Sequence, residues 1–235
     1  MGELLLPGPF DDALASILRG LSAGRMLRVV NFHATPAYRR EEYRRQVAAY
    51  ADRFAPVTPA NFDAAFDGTW ADPRPGLMPV LFEGWRDNVD VMLPILEEFG
   101  FKGWFFVPSA FPGIGAQDQR AYADAHTLRL PRRDEYPGQR VALTWDEAGD
   151  AASRGHGFAC HSRSHFDLQP DTPDDVLREE IHTAAAEMRA GLGQPAEIFC
   201  WLHGAEAGVN PRADAMLKDA GFRYLFSNFK VQRLA

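Results

Sequence analysis

Short apolar runs alternate along this chain with longer amphipathic segments, a pattern that parallel strands linked by helices produce and a hairpin protein does not. The apolar runs lie at 26–32, 78–82, 102–107, 157–160, 198–201 and 223–227. Amphipathic segments at 88–99, 145–153, 173–190 and 211–220 predict the helices between them, with two more at 39–54 and 59–66. Helix punctuation agrees. Thr144 with Glu147 forms a capping box, Thr172-Pro173 and Asn210-Pro211 each read as an N-cap followed by proline at N1, and Gly100, Gly191 and Gly221 stand where helices should stop.

Alternation of this kind predicts an α/β fold, a barrel or barrel-like domain of six to eight strands with its site at the C-terminal strand ends. Residues 1–24 read as an N-terminal extension and 25–235 as one barrel-like domain. Two stretches read as loops: 67–76, with Gly, Asp and two prolines, and the long polar insertion at 111–140, broken by Pro131 and Pro137. A loop of that length in a compact domain is usually functional, so the second is a candidate lid.

Composition narrows the classes. With 235 residues, 46% hydrophobic and 12% aromatic, the chain can bury a core without a disulfide framework. Its net charge of −7 argues against nucleic acid or an anionic membrane surface, and no apolar run is long enough to span a bilayer. Glu3 and Pro7 disrupt what would otherwise be a leader-like start, so a cytoplasmic location is expected. Cys160 and Cys200 form no zinc-type pair and read as buried small hydrophobes.

The sharpest local signal is His161-Ser-Arg-Ser-His165, directly after the run 157–160. Histidines at i and i+4 on one helical turn can share a metal through their ring nitrogens. A solvated or capped loop is the alternative, and what favours chemistry is the position at a strand end.

The stretch Arg154-Gly-His-Gly-Phe-Ala-Cys-His161-Ser-Arg-Ser-His165 resembles the histidine motif of the polysaccharide deacetylases, carbohydrate esterase family four. Leu143-Thr-Trp-Asp-Glu is similar to the family's approach to that strand, and Ile198-Phe-Cys-Trp-Leu-His-Gly204 to its aromatic motif. Val30-Asn-Phe-His33, Phe101-Lys-Gly-Trp-Phe-Phe-Val107 and Gly221-Phe-Arg-Tyr-Leu-Phe-Ser227 resemble further strands, so the likeness runs from about Leu27 to the end. It implies a distorted (β/α) barrel of about seven strands, a divalent metal, Zn²⁺ first, held by Glu83, His161 and His165, and a glycan or small-molecule substrate.

The departures are equally specific. The family's Thr-Phe-Asp-Asp-Gly motif falls on Val80-Leu-Phe-Glu-Gly84, which places Phe82 where the general base stands and Glu83 at the metal position. Phenylalanine cannot accept a proton. Glu83 is then a metal ligand, a replacement base, or simply an exposed strand-end carboxylate. Cys200 and Leu202 replace the family's Arg and Pro, His203 stands where a backbone N–H would stabilise an oxyanion, and the terminal Leu-His motif is absent. His203 and His33 are the remaining candidate proton-transfer groups. His203 is otherwise a buried histidine bonded to a main-chain carbonyl, and His33, at the end of the first strand, would partly substitute for the absent terminal acid. Trp85, Trp104 and Trp201 lie near strand ends, where sugar rings stack or a core packs; Trp85, Trp201 and His203 are the candidate substrate contacts. Asp87 reads as structural, at a helix N-terminus.

Three functions fit this reading. The first is metal-dependent hydrolysis of a carbon–nitrogen amide bond, releasing acetyl from an N-acetylated sugar. The second is a carbohydrate-binding relative without catalysis, and the third a metal-independent hydrolase of a small cyclic amide.

Overall fold

The computed structural model describes residues 27–128, 135–228 and 230–234. The expected extension at 1–24 lies outside them. Strand β1 (Leu27–Phe32) is followed by α1 (Arg40–Ala51), the two-residue β2 (Ala55–Pro56), a short α2 (Ala64–Asp67) and β3 (Gly76–Phe82). A π-helical turn at Asn88–Met92 runs into α3 (Leu93–Glu98), and β4 (Trp104–Val107) leads through α4 (Gln119–Ala125) to α5 (Trp145–Ser153) and β5 (Gly157–Cys160). The next helix starts as α6 (Asp174–Arg178), passes a second π-turn at Glu179–Thr183 and ends as α7 (Ala184–Leu192). Then come β6 (Ile198–Cys200), α8 (Pro211–Asp219), β7 (Tyr224–Phe226) and β8 (Val231–Arg233).

The strands form one curled sheet in the order β1-β3-β4-β5-β6-β7-β8, with β2 beside the start of β3. Seven strands run parallel and β8 returns antiparallel on β7. This is the barrel-like α/β fold the alternation predicts, distorted as the resemblance implies, with one strand added at the edge. Among the described residues β1 and β8 are not paired, so the barrel is open along that seam.

Strands β3 to β7 are buried on both faces, which is why they read as continuous apolar runs. Leu77, Leu81, Phe105, Phe158, Phe199 and Leu225 face the helices. Met78, Val80, Trp104, Phe106, Tyr224 and Phe226 face inward, where Phe62 plugs the base of the barrel. Trp104, read as a possible sugar platform, is in that inner core and donates its indole N–H to the Val57 carbonyl at 2.9 Å.

Several local expectations are met and several corrected. Both arms of the Thr144/Glu147 capping box are present, and Asn210 caps α8 through the Ala213 N–H. Thr172 is not a cap; Pro173 occupies that place without a side-chain bond. Gly191 lies inside α7, because a Cβ there would sit 2.2 Å from the Trp145 ring, and the left-handed stop is Gly193. The segment 59–66 is mostly turn, since Asn61 bonds Thr58 and the Pro56 carbonyl. The described part of the insertion is packed structure, with Phe111, Ala123 and Leu128 clustered around Trp85. Gln119 pins it by accepting from the Val141 and Ala142 N–H groups at 2.7 and 3.0 Å.

Candidate active site

Four strands deliver polar side chains to one mouth. Just beyond β1 is His33, beyond β3 Glu83, beyond β5 His161 and His165, and beyond β6 His203. All five line a cavity of about 850 Å³. The turns that carry them are unusual: Glu83 (φ 73°), Ser162 (φ 57°), His165 (φ 61°) and His203 (φ 48°) are all left-handed. Such conformations cost about 1–3 kcal/mol each and collect at functional sites.

The histidine pair is brought together by this turn and not by the helical turn its spacing suggested. The rings of His161 and His165 stand 5.0 Å apart, with His203 5.9 Å beyond His165. Glu180, on the second π-turn, fixes the loop: its Oε2 accepts from the N–H groups of Arg163 and Ser164, both at 2.9 Å, and Oε1 from the Ser164 hydroxyl at 2.6 Å. Asn88, on the first π-turn, donates to the His33 carbonyl at 2.8 Å.

Two backbone carbonyls settle the protonation of the pair. The Nδ1–H of His161 donates to Cys200 O at 2.9 Å, and that of His165 to His126 O at 2.8 Å. A carbonyl only accepts, so each Nδ1 carries the proton and each Nε2 a lone pair. Burial pushes the His161 pKa down to about 3 and that of His165 down to about 4, so both rings are neutral near pH 7.

Glu83 is buried, not an exposed strand-end carboxylate. Its Oε2 accepts the Trp85 indole N–H at 2.7 Å, and its Oε1 stands 3.8 Å from His33 Nε2. Trp85 is 1% exposed and absent from the cavity wall, so its expected role as a substrate contact is replaced by this hydrogen bond. Trp201 does line the cavity. Phe82 stacks on His33 at 5.2 Å and meets His161 edge-on at 5.3 Å, which makes the wall apolar at the position of the family's base.

Neutral imidazoles with oriented rings are suitable donors for a divalent ion, as carbonyl-anchored histidines are in metal proteins. Among the described residues no three His, Cys, Asp or Glu side chains are gathered into a ready cage. The fit is that of two neutral imidazoles, His161 and His165, and the Glu83 carboxylate lines the same mouth without closing a cage around them.

Sequence reasoning missed four contributors. Asp167 Oδ2 stands 3.6 Å from His203 Nδ1, Thr127 lines the cavity beside His165, and the His126 carbonyl and Glu180 hold the histidine loop. Only Asp167, two residues past the motif, left a local signal. Trp201 donates its own N–H to Phe226 O at 2.9 Å, whereas no main-chain acceptor among the described residues takes the N–H of Leu202 or His203. Cys200 lines the cavity, but burial raises its thiol pKa, so it is no nucleophile.

Residues 80–225 match the polysaccharide deacetylase family. No curated protein matches the chain. Among solved structures, IcaB from Ammonifex degensii is similar over 87% of this chain and 84% of its own, with 18% identity and a TM-score of 0.65. The de-N-acetylase of Aggregatibacter actinomycetemcomitans matches over 89% and 91%, with 14% identity and a TM-score of 0.65. Streptococcus pyogenes deacetylase PplD, solved with acetate, matches over 83% and 80%, with 14% identity and a TM-score of 0.63. At these identities the likeness speaks to the fold, and no helix among the described residues is long and apolar enough to cross a membrane. The family match covers more than half of the chain and includes β3 through β7 with the histidine turn, and on that ground the chain belongs to the polysaccharide deacetylase family.

Proposed function

We propose that the protein is a hydrolase that removes acetyl from an N-acetylated sugar with the help of a divalent ion, Zn²⁺ first. The observation that carries this reading is the pair of neutral imidazoles, each anchored by Nδ1 to a backbone carbonyl at the cavity mouth. His161 and His165 would hold the ion through Nε2, with the Glu83 carboxylate as the anionic partner. A divalent ion bound there supplies Lewis-acid polarisation of the amide carbonyl and of water.

The chain's own groups carry the rest. The Leu202 and His203 N–H groups are placed to receive charge developing on the carbonyl oxygen. His203, with Asp167 beside its Nδ1, presents Nε2 as the proton-transfer group, and Glu83 beside His33 stands in for the missing aspartate. Water oxygen bonds to the carbonyl carbon as one water proton passes to His203 Nε2. That proton moves to the nitrogen as the carbon–nitrogen bond breaks, and the second water proton follows, so that acetate and the amine in its ammonium form are left.

Elemental analysis of protein purified without chelator tests the reading, alongside the His161→Ala/His165→Ala double variant and assays of acetate release from N-acetylglucosamine oligomers. The expected result is roughly one equivalent of metal, as for a single-ion site, lost with activity in the variant. Full activity in the double variant, or after chelation, overturns it. Phe82 favours a second reading, a saccharide-binding relative without turnover, for which calorimetry would detect sugar binding and no metal would elicit hydrolysis.

A further inference from the structure

The cavity has two unlike ends. Its mouth is polar, its far end is walled by Leu27, Val29, Phe66 and Trp70, and Phe226 and Val231 continue the apolar wall up to the level of Cys200. The open seam of the sheet is the reason. In a closed barrel the outer edge of the first strand would pair with the last and close the wall beside it, but β1 has no partner on that edge among the described residues, and its alternate residues Leu27, Val29, Asn31 and His33 face the cavity. At about 3.3 Å per residue they line about 20 Å of wall from the closed end to the mouth. Val29 remains 38% exposed although it is a central strand residue.

An acetyl group uses little of a cavity of about 850 Å³, a volume at the upper end of small-molecule sites. Phe82 makes the apolar wall continuous with the mouth: it lines the cavity and packs on Phe106 at 5.2 Å and against the rings of His33 and His161. Lys230, paired with Glu206 at 3.2 Å, is the charged group on the β8 side of the wall. A free polysaccharide would leave the apolar end unfilled.

We propose that the apolar end between β1 and β8 binds an alkyl or aryl chain carried by the substrate, so that the amide hydrolysed at the mouth belongs to an amphiphile. This inference rests on the amide-hydrolase reading for the chemistry at the mouth, but the chain site itself is read by binding alone. The chain could be the acyl group or the aglycone, and both present the same apolar surface to the wall.

Calorimetry on metal-free protein distinguishes these sources. One series is glucosamine N-acylated with acetyl, hexanoyl or decanoyl, and the other is N-acetylglucosamine with methyl, hexyl or decyl aglycones. Affinity should rise by about threefold per buried methylene in at least one series, as transfer of a methylene from water predicts. Val29→Trp and Ala65→Trp, which fill the chain site, should each weaken the long-chain ligand at least tenfold, while Val209→Asp on the outer surface should not.

Equal affinities across both series in the wild-type protein overturn the proposal, as does unaltered long-chain binding in both filled variants. The wild-type series decides even if the variants do not fold. Chain-dependent binding without hydrolysis would keep this site and remove the deacetylase reading; acetate release with flat affinities would do the reverse.

Discussion

The indole N–H of Trp85 and the carboxylate of Glu83 form a buried hydrogen bond of 2.7 Å, two residues apart in sequence, across a backbone that turns left-handed at both Glu83 and Gly84. Trp85 in turn meets Phe111 edge-on at 5.2 Å, so the insertion after β4 determines where the site's carboxylate points. Trp85→Phe keeps the packing and removes the donor. Stability should fall by about 1–3 kcal/mol, the cost of leaving a buried acceptor short of a partner, and hydrolysis should fall at least tenfold. Chemical denaturation and acetate-release assays check the two effects separately.

Phe82 stands where the family's catalytic aspartate would be, packed against Phe106, His33 and His161. Phe82→Asp should raise turnover of N-acetylated sugars by about 10²-fold, the lower range of general-base contributions. Loss of the partly buried ring should lower stability by about 1–3 kcal/mol. Unchanged kcat in a folded variant would show that the proton acceptor already present is sufficient.

Glu180 holds the histidine turn through two backbone N–H groups and one hydroxyl. Glu180→Ala should leave those donors unmet, destabilise the fold by about 2–3 kcal/mol and weaken metal retention at least tenfold. Glu180→Gln keeps one acceptor oxygen and should recover part of the retention. Equilibrium dialysis against zinc, with thermal unfolding, measures both.

Asp87 is buried beside Thr35, and burial pushes its pKa up to about 7. Between the ordinary carboxylate pKa and about 7 the folded protein binds more protons at this group than the unfolded chain does. Its contribution therefore declines as pH rises through that window and stays unfavourable above it. Asp87→Asn should stabilise the protein by about 1–3 kcal/mol at pH 8, within the scale set by 1.36 kcal/mol per pKa unit, and by much less near pH 4. Urea melts across that range test the trend.

His161 and His165 act with the opposite sign. Their folded pKa values are depressed by burial, so below the unfolded value of 6.5 the unfolded chain binds more protons. Stability from the neutral pair is present above pH 6.5 and is lost as pH falls towards about 4 and then about 3. In the Asp87→Asn background this slope should stand alone, and His161→Asn should flatten it further. Urea melts of both variants between pH 4 and 7 provide the measurement.

The parts of the fold legible in sequence are those that local rules control. Strands buried on both faces left uninterrupted apolar runs, and the Thr144 and Asn210 caps left their polar side chains in place. The π-turns did not show, because what holds Glu180 and Asn88 in register is their bonding to loops elsewhere in the chain. Gly191 read as a stop although its meaning is the nearby Trp145 ring. At the site, strand-end position nominated His33, His161 and His165, and the family resemblance nominated Glu83 and His203. Trp85 read as a surface platform because its burial depends on Phe111 and Ala142, far along the chain. The anchoring of His165 by a carbonyl, which no side chain announces, was similarly out of reach.

The unpaired seam between β1 and β8 also has a mechanical consequence. In a closed barrel the diameter is determined by the number of strands and their stagger, so the interior cannot widen without breaking a ladder of hydrogen bonds. Here the ladder ends at β8, which is only three residues long and is tethered to the far side by the Arg233–Asp67 ion pair at 2.6 Å. The width of the interior is therefore not set by strand number and stagger alone, because among the described residues no ladder closes it between β1 and β8.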